Sequence, residues 1–176
     1  MEDLRYPIGE FRIEGEITEP RRTKWIEEIA EAPGRLRGAV EGLTEGQLDT
    51  PYRPEGWTVR QVAHHLPDSH MNCYVRFRLA LTEEEPAIKP YEEAKWAELT
   101  DARTAPVELS LALLEALHGR WVMLMRSFGD AEFGRAFRHP KLGLLRLDWS
   151  AGLYAWHGRH HVAQITALRK RMGWGA

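Results

Sequence analysis

Two histidines four residues apart, His157 and His161, are the side chains of this sequence best placed to do chemistry. Their surroundings predict a helix, so both side chains leave the same face about one turn apart. Two imidazoles at this spacing can hold one metal ion, as the paired histidines of zincin helices do. A zinc or nickel site usually needs one more protein ligand, and that ligand must come from another part of the chain.

His65, in a second predicted helix, is the candidate for the third ligand. On a helical wheel of about 100° per residue, His157 and His161 fall at the centre of an inward face, and His65 falls at the edge of an apolar stripe. These three side chains are therefore the predicted metal ligands. His160 falls to one side, which favours a place at the rim or behind a ligand. A hydrogen-bonded core histidine is the alternative for each of them.

The other histidines carry weaker signals. His64 points away from the apolar stripe of its helix and is predicted to be solvated. His70 lies across that stripe from His65. His118 and His139 have no partner pattern and receive no role.

A polar edge follows His65 along the same helix, at Ser69, Asn72 and Arg76. Buried polar groups need partners, so purely structural helices seldom place such residues inward. Arg76 is therefore a candidate substrate contact, with Arg60 and Arg159 as further candidates for binding a carboxylate. A plain polar border, with ordinary surface arginines, is the alternative.

Composition limits the classes of protein to consider. The chain has 176 residues, 43% of them hydrophobic and 28% charged, which predicts one domain over residues 1–176 with a core that needs no structural metal. A net charge of −2 gives no reason to expect a nucleic-acid partner. A single cysteine, Cys73, excludes an internal disulfide. The lack of a signal-peptide core or a membrane-length apolar run predicts a soluble cytoplasmic protein.

Four long predicted helices indicate an all-α four-helix bundle. Their approximate ranges are 19–43, 58–81, 106–128 and 148–172. Pro33 and Gly34 are expected to kink the first helix or to divide it into two abutting helices. Capping boxes are expected at Thr44, to begin one short helical turn, and at Thr58, to begin the second long helix. Asp148 is expected to be the N-cap of the fourth. Residues 1–18 are predicted to form an extended arm, and 129–147 leave room for a short β-hairpin. The expected core face of the third helix is Leu109, Leu113, Leu117, Trp121, Leu124 and Phe128.

Nearly the whole chain resembles the DinB/YfiT-like superfamily of metal-binding four-helix bundles, and especially its YfiT branch. The matching stretches are LRYPIG from Leu4, GWTVRQVAHHL from Gly56, DSHMN from Asp68, IKPY from Ile88, HGRW from His118 and WHGRHH from Trp156. The resemblance implies an often dimeric helical protein in which His65, His157 and His161 hold zinc or nickel. It implies either a metal-dependent hydrolase or a transferase for a thiol such as bacillithiol, mycothiol or glutathione.

Three chemistries remain open at this stage. In the first, the metal lowers the pKa of a small thiol, which then attacks an electrophile. In the second, activated water attacks a hydrolysable substrate. Thiol transfer is preferred because Gly158 stands where an HExxH enzyme keeps its glutamate, and because Asp68, the nearest carboxylate, lies off the ligand face. In the third, a non-enzymatic stress-response bundle uses the metal only to stiffen an interface.

Overall fold

The computed structural model of the chain describes residues 3–175, and these form eight helices and one two-stranded antiparallel sheet. The long helices are α1 (Glu19–Val40), α3 (Val59–Thr82), α6 (Val107–Arg126) and α8 (Leu147–Met172). The short ones are α2 (Glu45–Leu48), α4 (Glu93–Trp96), α5 (Thr100–Thr104) and α7 (Asp130–Gly134). The strands are β1 (Ala136–His139) and β2 (Gly143–Arg146). Both the four-helix bundle and the short hairpin are confirmed.

Of the two outcomes expected at Pro33, the division into two abutting helices is wrong, because the proline lies inside a single helix, α1. A proline in a helix interior removes one backbone donor and costs about 3 kcal/mol. Ile29 and Leu36, on either side of it, are fully buried against the rest of the bundle. Packing of both halves therefore outweighs the local penalty. The helix ends at Val40, earlier than expected, just before Gly42 adopts a left-handed φ of 72°.

The core face predicted for α6 was also wrong in part. Leu109 and Leu113 are 65% and 44% exposed, whereas Leu111 and Leu114 are buried. Leucines occupy several faces of this helix, so their spacing alone does not identify the inward one. His118 is fully buried on the true inward face, where a polar residue was not expected.

Close contacts hold α8 against α1 and hold the N-terminal arm against α8. A Cβ atom at Gly152 would lie 2.9 Å from the ring of Trp25, so glycine is what allows α1 and α8 to approach. The described part of the arm contains no helix or strand and runs along α8, where Phe11 packs on Trp149 and the indole of Trp156 donates to the Gly9 carbonyl. The helix begins at Leu147, with Arg146 as its N-cap.

Asp148 is therefore not the N-cap of α8, as the sequence had suggested. It lies inside the first turn, where its carboxylate accepts from the backbone N–H of Trp149 at 2.7 Å and pairs with Arg146. A carboxylate in the first turn complements the positive end of the helix dipole just as a cap does. Both capping boxes expected from the sequence are present, at Thr44 and Thr58.

Candidate metal centre

Three histidines from two helices converge at one point in the bundle. His65 comes from α3, and His157 and His161 come from α8. The Nε2 atom of His157 lies 3.3 Å from Nε2 of His65 and 3.2 Å from Nε2 of His161, and one nitrogen from each ring lies within 4.8 Å of the others. Two nitrogens on one tetrahedral zinc ion lie roughly 3.3 Å apart. The structure thus brings all three predicted ligands to the spacing that a metal ion requires.

The hydrogen bonds behind His161 fix its tautomer. Gln164 donates through Nε2 to the carbonyl of Arg5 at 2.9 Å, which settles the orientation of its side-chain amide. Its Oε1 atom then faces Nδ1 of His161 at 2.9 Å. An amide oxygen can only accept, so Nδ1 of His161 carries the proton. The Nε2 atom of a neutral His161 is therefore a bare lone pair directed at the centre.

The hydrogen bonds behind His157 lead to the same result through a longer chain. Nδ1 of His118 lies 2.6 Å from the carbonyl of Ile29 and must donate to it. Nε2 of His118 then accepts from Nδ1 of His70 at 2.8 Å, and Nε2 of His70 accepts from Nδ1 of His157 at 3.1 Å. We call His157, His70, His118 and the Ile29 carbonyl the histidine chain. It leaves Nε2 of His157 unprotonated.

Burial keeps these imidazoles neutral. Desolvation, followed by the neighbouring histidines, holds the pKa of His157 and of His161 well below the ordinary value of 6.5. Burial also lowers the pKa of His65 to about 4. Neutral imidazoles are the form that binds metal. Two lone pairs face each other at 3.2 Å, an arrangement that repels unless a cation lies between them, so the donor set fits a divalent ion.

A cavity of about 470 Å³ opens beside the three histidines. Its walls combine aromatic rings, two arginines and two carboxylates, namely Tyr6, Tyr52, Trp57, Trp156, Arg5, Arg53, Glu55 and Glu93. Polar groups make up more of this lining than apolar surface does, so the cavity suits a small polar molecule. A larger groove of about 690 Å³ lies between α1 and α6, but none of the three histidines lines it.

Two cavity residues carry features that helical spacing in the sequence could not reveal. Glu55 and Glu93 reach the cavity from the loop before α3 and from α4. Glu55 has a φ of 57°, in the left-handed region that favours glycine. A carboxylate is thus present where glycine would be less strained, which is a pattern found at functional sites.

The remaining histidines do not all lie where the sequence suggested. The prediction that His64 is solvated was wrong, because Ser110 and the Ala105 carbonyl bond its two ring nitrogens at 2.7 and 3.0 Å in a buried position. His118, which received no role, belongs to the histidine chain. His160 lines the cavity, stacks on Trp156 and accepts from Gln164. The partners of His64 and His118 are distant in sequence, so no local pattern could have identified them. Those of His160 lie one helical turn away on α8.

The arginines proposed as anion contacts have other positions. Arg60 is 3% exposed and bonds Asp49 and the Ala105 carbonyl, so its guanidinium group is committed to the fold. The Nε atom of Arg159 lies 3.3 Å from Oε2 of Glu28, so this arginine is paired with a carboxylate of the protein itself. Arg76 is half-buried and is not among the residues that line the cavity. Its role as a substrate contact stays a prediction, while Arg5 and Arg53 are the arginines that the cavity contains.

Comparisons with known proteins agree with this architecture. The profile of the DinB superfamily matches residues 28–165. The chain is 56% identical over 174 residues to proteins of Bacillus mycoides and Bacillus thuringiensis subsp. konkukian, covering 99% of this chain and 100% of theirs; both are named "putative metal-dependent hydrolase".

Solved structures give the same picture. YfiT from Bacillus subtilis, described as "a probable metal-dependent hydrolase with an unusual four-helix bundle topology", superposes with a TM-score of 0.95 at 54% identity over 98% of this chain and 99% of its own. The four-helix bundle protein TT2238 matches with a TM-score of 0.56 at 18% identity, over 83% of this chain and 98% of its own, and shares the fold. Within residues 3–175, no helix has the length and apolarity needed to span a bilayer.

Proposed function

This chain belongs to the DinB superfamily, and on that premise we propose that it is a metal-dependent enzyme whose divalent ion, zinc or nickel, is held by His65, His157 and His161. The observation that carries the proposal is the pair of unprotonated Nε2 atoms of His157 and His161, 3.2 Å apart and fixed from behind by hydrogen bonds. The names of the relatives, which describe metal-dependent hydrolases, support it.

Hydrolysis of a small substrate is the reaction that the geometry supports best. A divalent ion at this centre supplies Lewis acidity, which lowers the pKa of a water molecule that reaches it. We assign the base that the ligand helices lack to one of the two exposed glutamates that line the cavity, Glu55 or Glu93. The rings of Trp57 and Trp156, which also line the cavity, offer apolar surface to part of the substrate.

Transfer of a small thiol to an electrophile is the second candidate. Arg5 and Arg53 line the same cavity, and a guanidinium group binds a carboxylate with two parallel hydrogen bonds. A thiol that carries carboxylates, of the bacillithiol type, fits these two side chains. The sequence-based preference for this reaction depended on the lack of a nearby base, and the positions of Glu55 and Glu93 weaken that argument.

Glutamine variants of the two cavity carboxylates separate these reactions. We expect the zinc-loaded protein to cleave an activated aryl ester, with kcat reduced about 100-fold or more when the glutamate that acts as base is replaced. Glu55→Gln and Glu93→Gln are the variants. Glu92→Gln is the matched control, because Glu92 is exposed, pairs with Lys95 and does not line the cavity.

The thiol arm uses the cobalt-substituted protein with bacillithiol, mycothiol or glutathione and a bimane electrophile. Thiol transfer would become the assigned reaction if three results were found together. Both glutamine variants would conjugate the thiol at full rate, the cobalt protein would show a new thiolate absorption band, and the unmodified protein would cleave no ester. Metal-loaded protein that catalyses neither reaction would contradict both candidates.

A further inference from the structure

The histidine chain ends on a carbonyl that the helix itself leaves free. In α1 the carbonyl of Ile29 would accept from the backbone N–H of residue 33, but residue 33 is proline and has no N–H. His118, from α6, fills this place through Nδ1 at 2.6 Å. Pro33, which the bundle retains against its local cost, therefore creates an acceptor for a histidine on another helix.

The hydrogen bonds of the histidine chain can run in only one direction between that carbonyl and the metal centre. A carbonyl oxygen has no proton to give, so each ring in turn must donate from Nδ1 and accept at Nε2. His118 and His70 are at most 1% exposed, and their ring planes differ by only 22° with centroids 4.9 Å apart, as an in-plane hydrogen bond requires. Trp121 and Tyr154 pack edge-on against His70. His118 also borders the groove between α1 and α6, but both of its ring nitrogens are already bonded within the protein, as are those of His70, so each ring has a single tautomer.

We propose that His70 and His118 are positioning residues that fix His157 in the tautomer and orientation required for metal binding, and that Pro33 supplies the carbonyl on which they depend. The inference rests on the proposed metal site and adds three residues to it. Ligating histidines are commonly oriented through the other ring nitrogen, and loss of such a partner lowers metal affinity about 10- to 100-fold. Here two buried imidazoles in series, His70 of α3 and His118 of α6, connect the ligand to a carbonyl of α1.

Two substitutions of His118 test the role of the histidine chain in metal binding. The measured quantity is zinc affinity, obtained by competition with a chromophoric chelator. His118→Phe removes both ring nitrogens and should weaken zinc binding about 10- to 100-fold. His118→Gln keeps an oxygen that can accept from His70, and should recover part of that loss. Chelator-treated samples of each variant provide the thermal midpoint of the metal-free fold. An affinity for His118→Phe within about twofold of the unmodified protein would overturn the proposal.

Pro33→Ala separates positioning from plain structural support. Alanine restores a backbone N–H that competes for the Ile29 carbonyl, and alanine also favours a helix more than proline does. The metal-free variant should therefore be as stable as the unmodified protein or more so, while zinc binding weakens several-fold. Unchanged zinc affinity in this variant would show that the freed carbonyl does not matter, and would overturn its part in the proposal.

The tautomers themselves are measurable without any variant. In nitrogen-15 spectra of the zinc-loaded protein, we expect His157, His70 and His118 each to carry the proton on Nδ1. A proton on Nε2 of His70 or His118 would contradict the proposed direction of hydrogen bonding in the histidine chain. The two proposals fail in different ways. If the unmodified protein binds no divalent ion, the proposed function fails. If it binds zinc and His118→Phe binds equally well, only the positioning role fails.

Discussion

His161→Ala should lower the zinc affinity of the protein by more than about 100-fold and abolish its metal-dependent turnover. The estimate is a lower limit, because loss of a mere outer partner of a ligand already costs about 10- to 100-fold. The variant also leaves Gln164 without its contact to Nδ1 at 2.9 Å. Metal content after dialysis against a weak chelator, together with competition titration, measures the effect.

The matched control is His139→Ala. His139 lies at the end of β1, where its ring accepts from the backbone of the hairpin turn, and it is not part of the three-histidine cluster. This variant should keep its zinc and its activity. Retention of full metal content by His161→Ala, or equal loss in both variants, would argue against the assignment of the ligands.

Acid should unfold the metal-free protein steeply below about pH 6.5. Burial lowers the pKa of the histidines packed in the bundle: to about 4 for His65, His118 and His160, well below 6.5 for His70, His157 and His161, and below 6.5 for His64. Below pH 6.5 the unfolded chain therefore binds more protons than the folded chain, so the free energy of unfolding falls as the pH falls.

The expected size of this effect is large. Each imidazole that stays neutral in the fold costs roughly 1.4 kcal/mol per pH unit below its unfolded pKa. About two pH units below the unfolded pKa, the summed cost of several such imidazoles is comparable with the free energy of unfolding of a typical domain, roughly 5–15 kcal/mol. Above pH 7 the metal-free protein should remain helical, since two apolar clusters already supply a core.

Thermal midpoints by circular dichroism at pH 7.5, 6.5, 5.5 and 5.0 measure the acid effect. His118→Gln is the comparison, because glutamine does not titrate, and its midpoint should fall less steeply with pH. A midpoint that is flat from pH 7.5 to 5.0 would contradict the account. Loss of the helices on chelation at pH 7.5 would instead make the metal structural.

The sequence was sufficient for the parts of this protein that depend on local periodicity. The four long helices, the capping boxes at Thr44 and Thr58, and the inward direction of His65, His157 and His161 all follow from spacing along a single helix. The continuity of α1 through Pro33 could not be predicted, because the buried side chains that offset the proline pack against other helices.

The parts that were missed depend on contacts between segments distant in sequence. His118 has no metal-ligand spacing, and its importance comes from a carbonyl 89 residues earlier in the chain. His64 was predicted to be solvated, but Ser110 of α6 and the Ala105 carbonyl at the end of α5 bond its ring in a buried position. Glu55 and Glu93 come from a loop and a short helix whose direction towards the cavity is set by tertiary structure. The orienting contacts were therefore beyond sequence reasoning, although the ligands themselves were within it.

A crystal structure of the zinc-loaded protein tests the central claim most directly. The account predicts one zinc ion bound to the Nε2 atoms of His65, His157 and His161, with no fourth protein ligand and with its remaining position facing the cavity that Glu55 and Glu93 line. Zinc bound elsewhere, coordinated through Nδ1 of any of these rings, or closed off by a fourth protein ligand would contradict it.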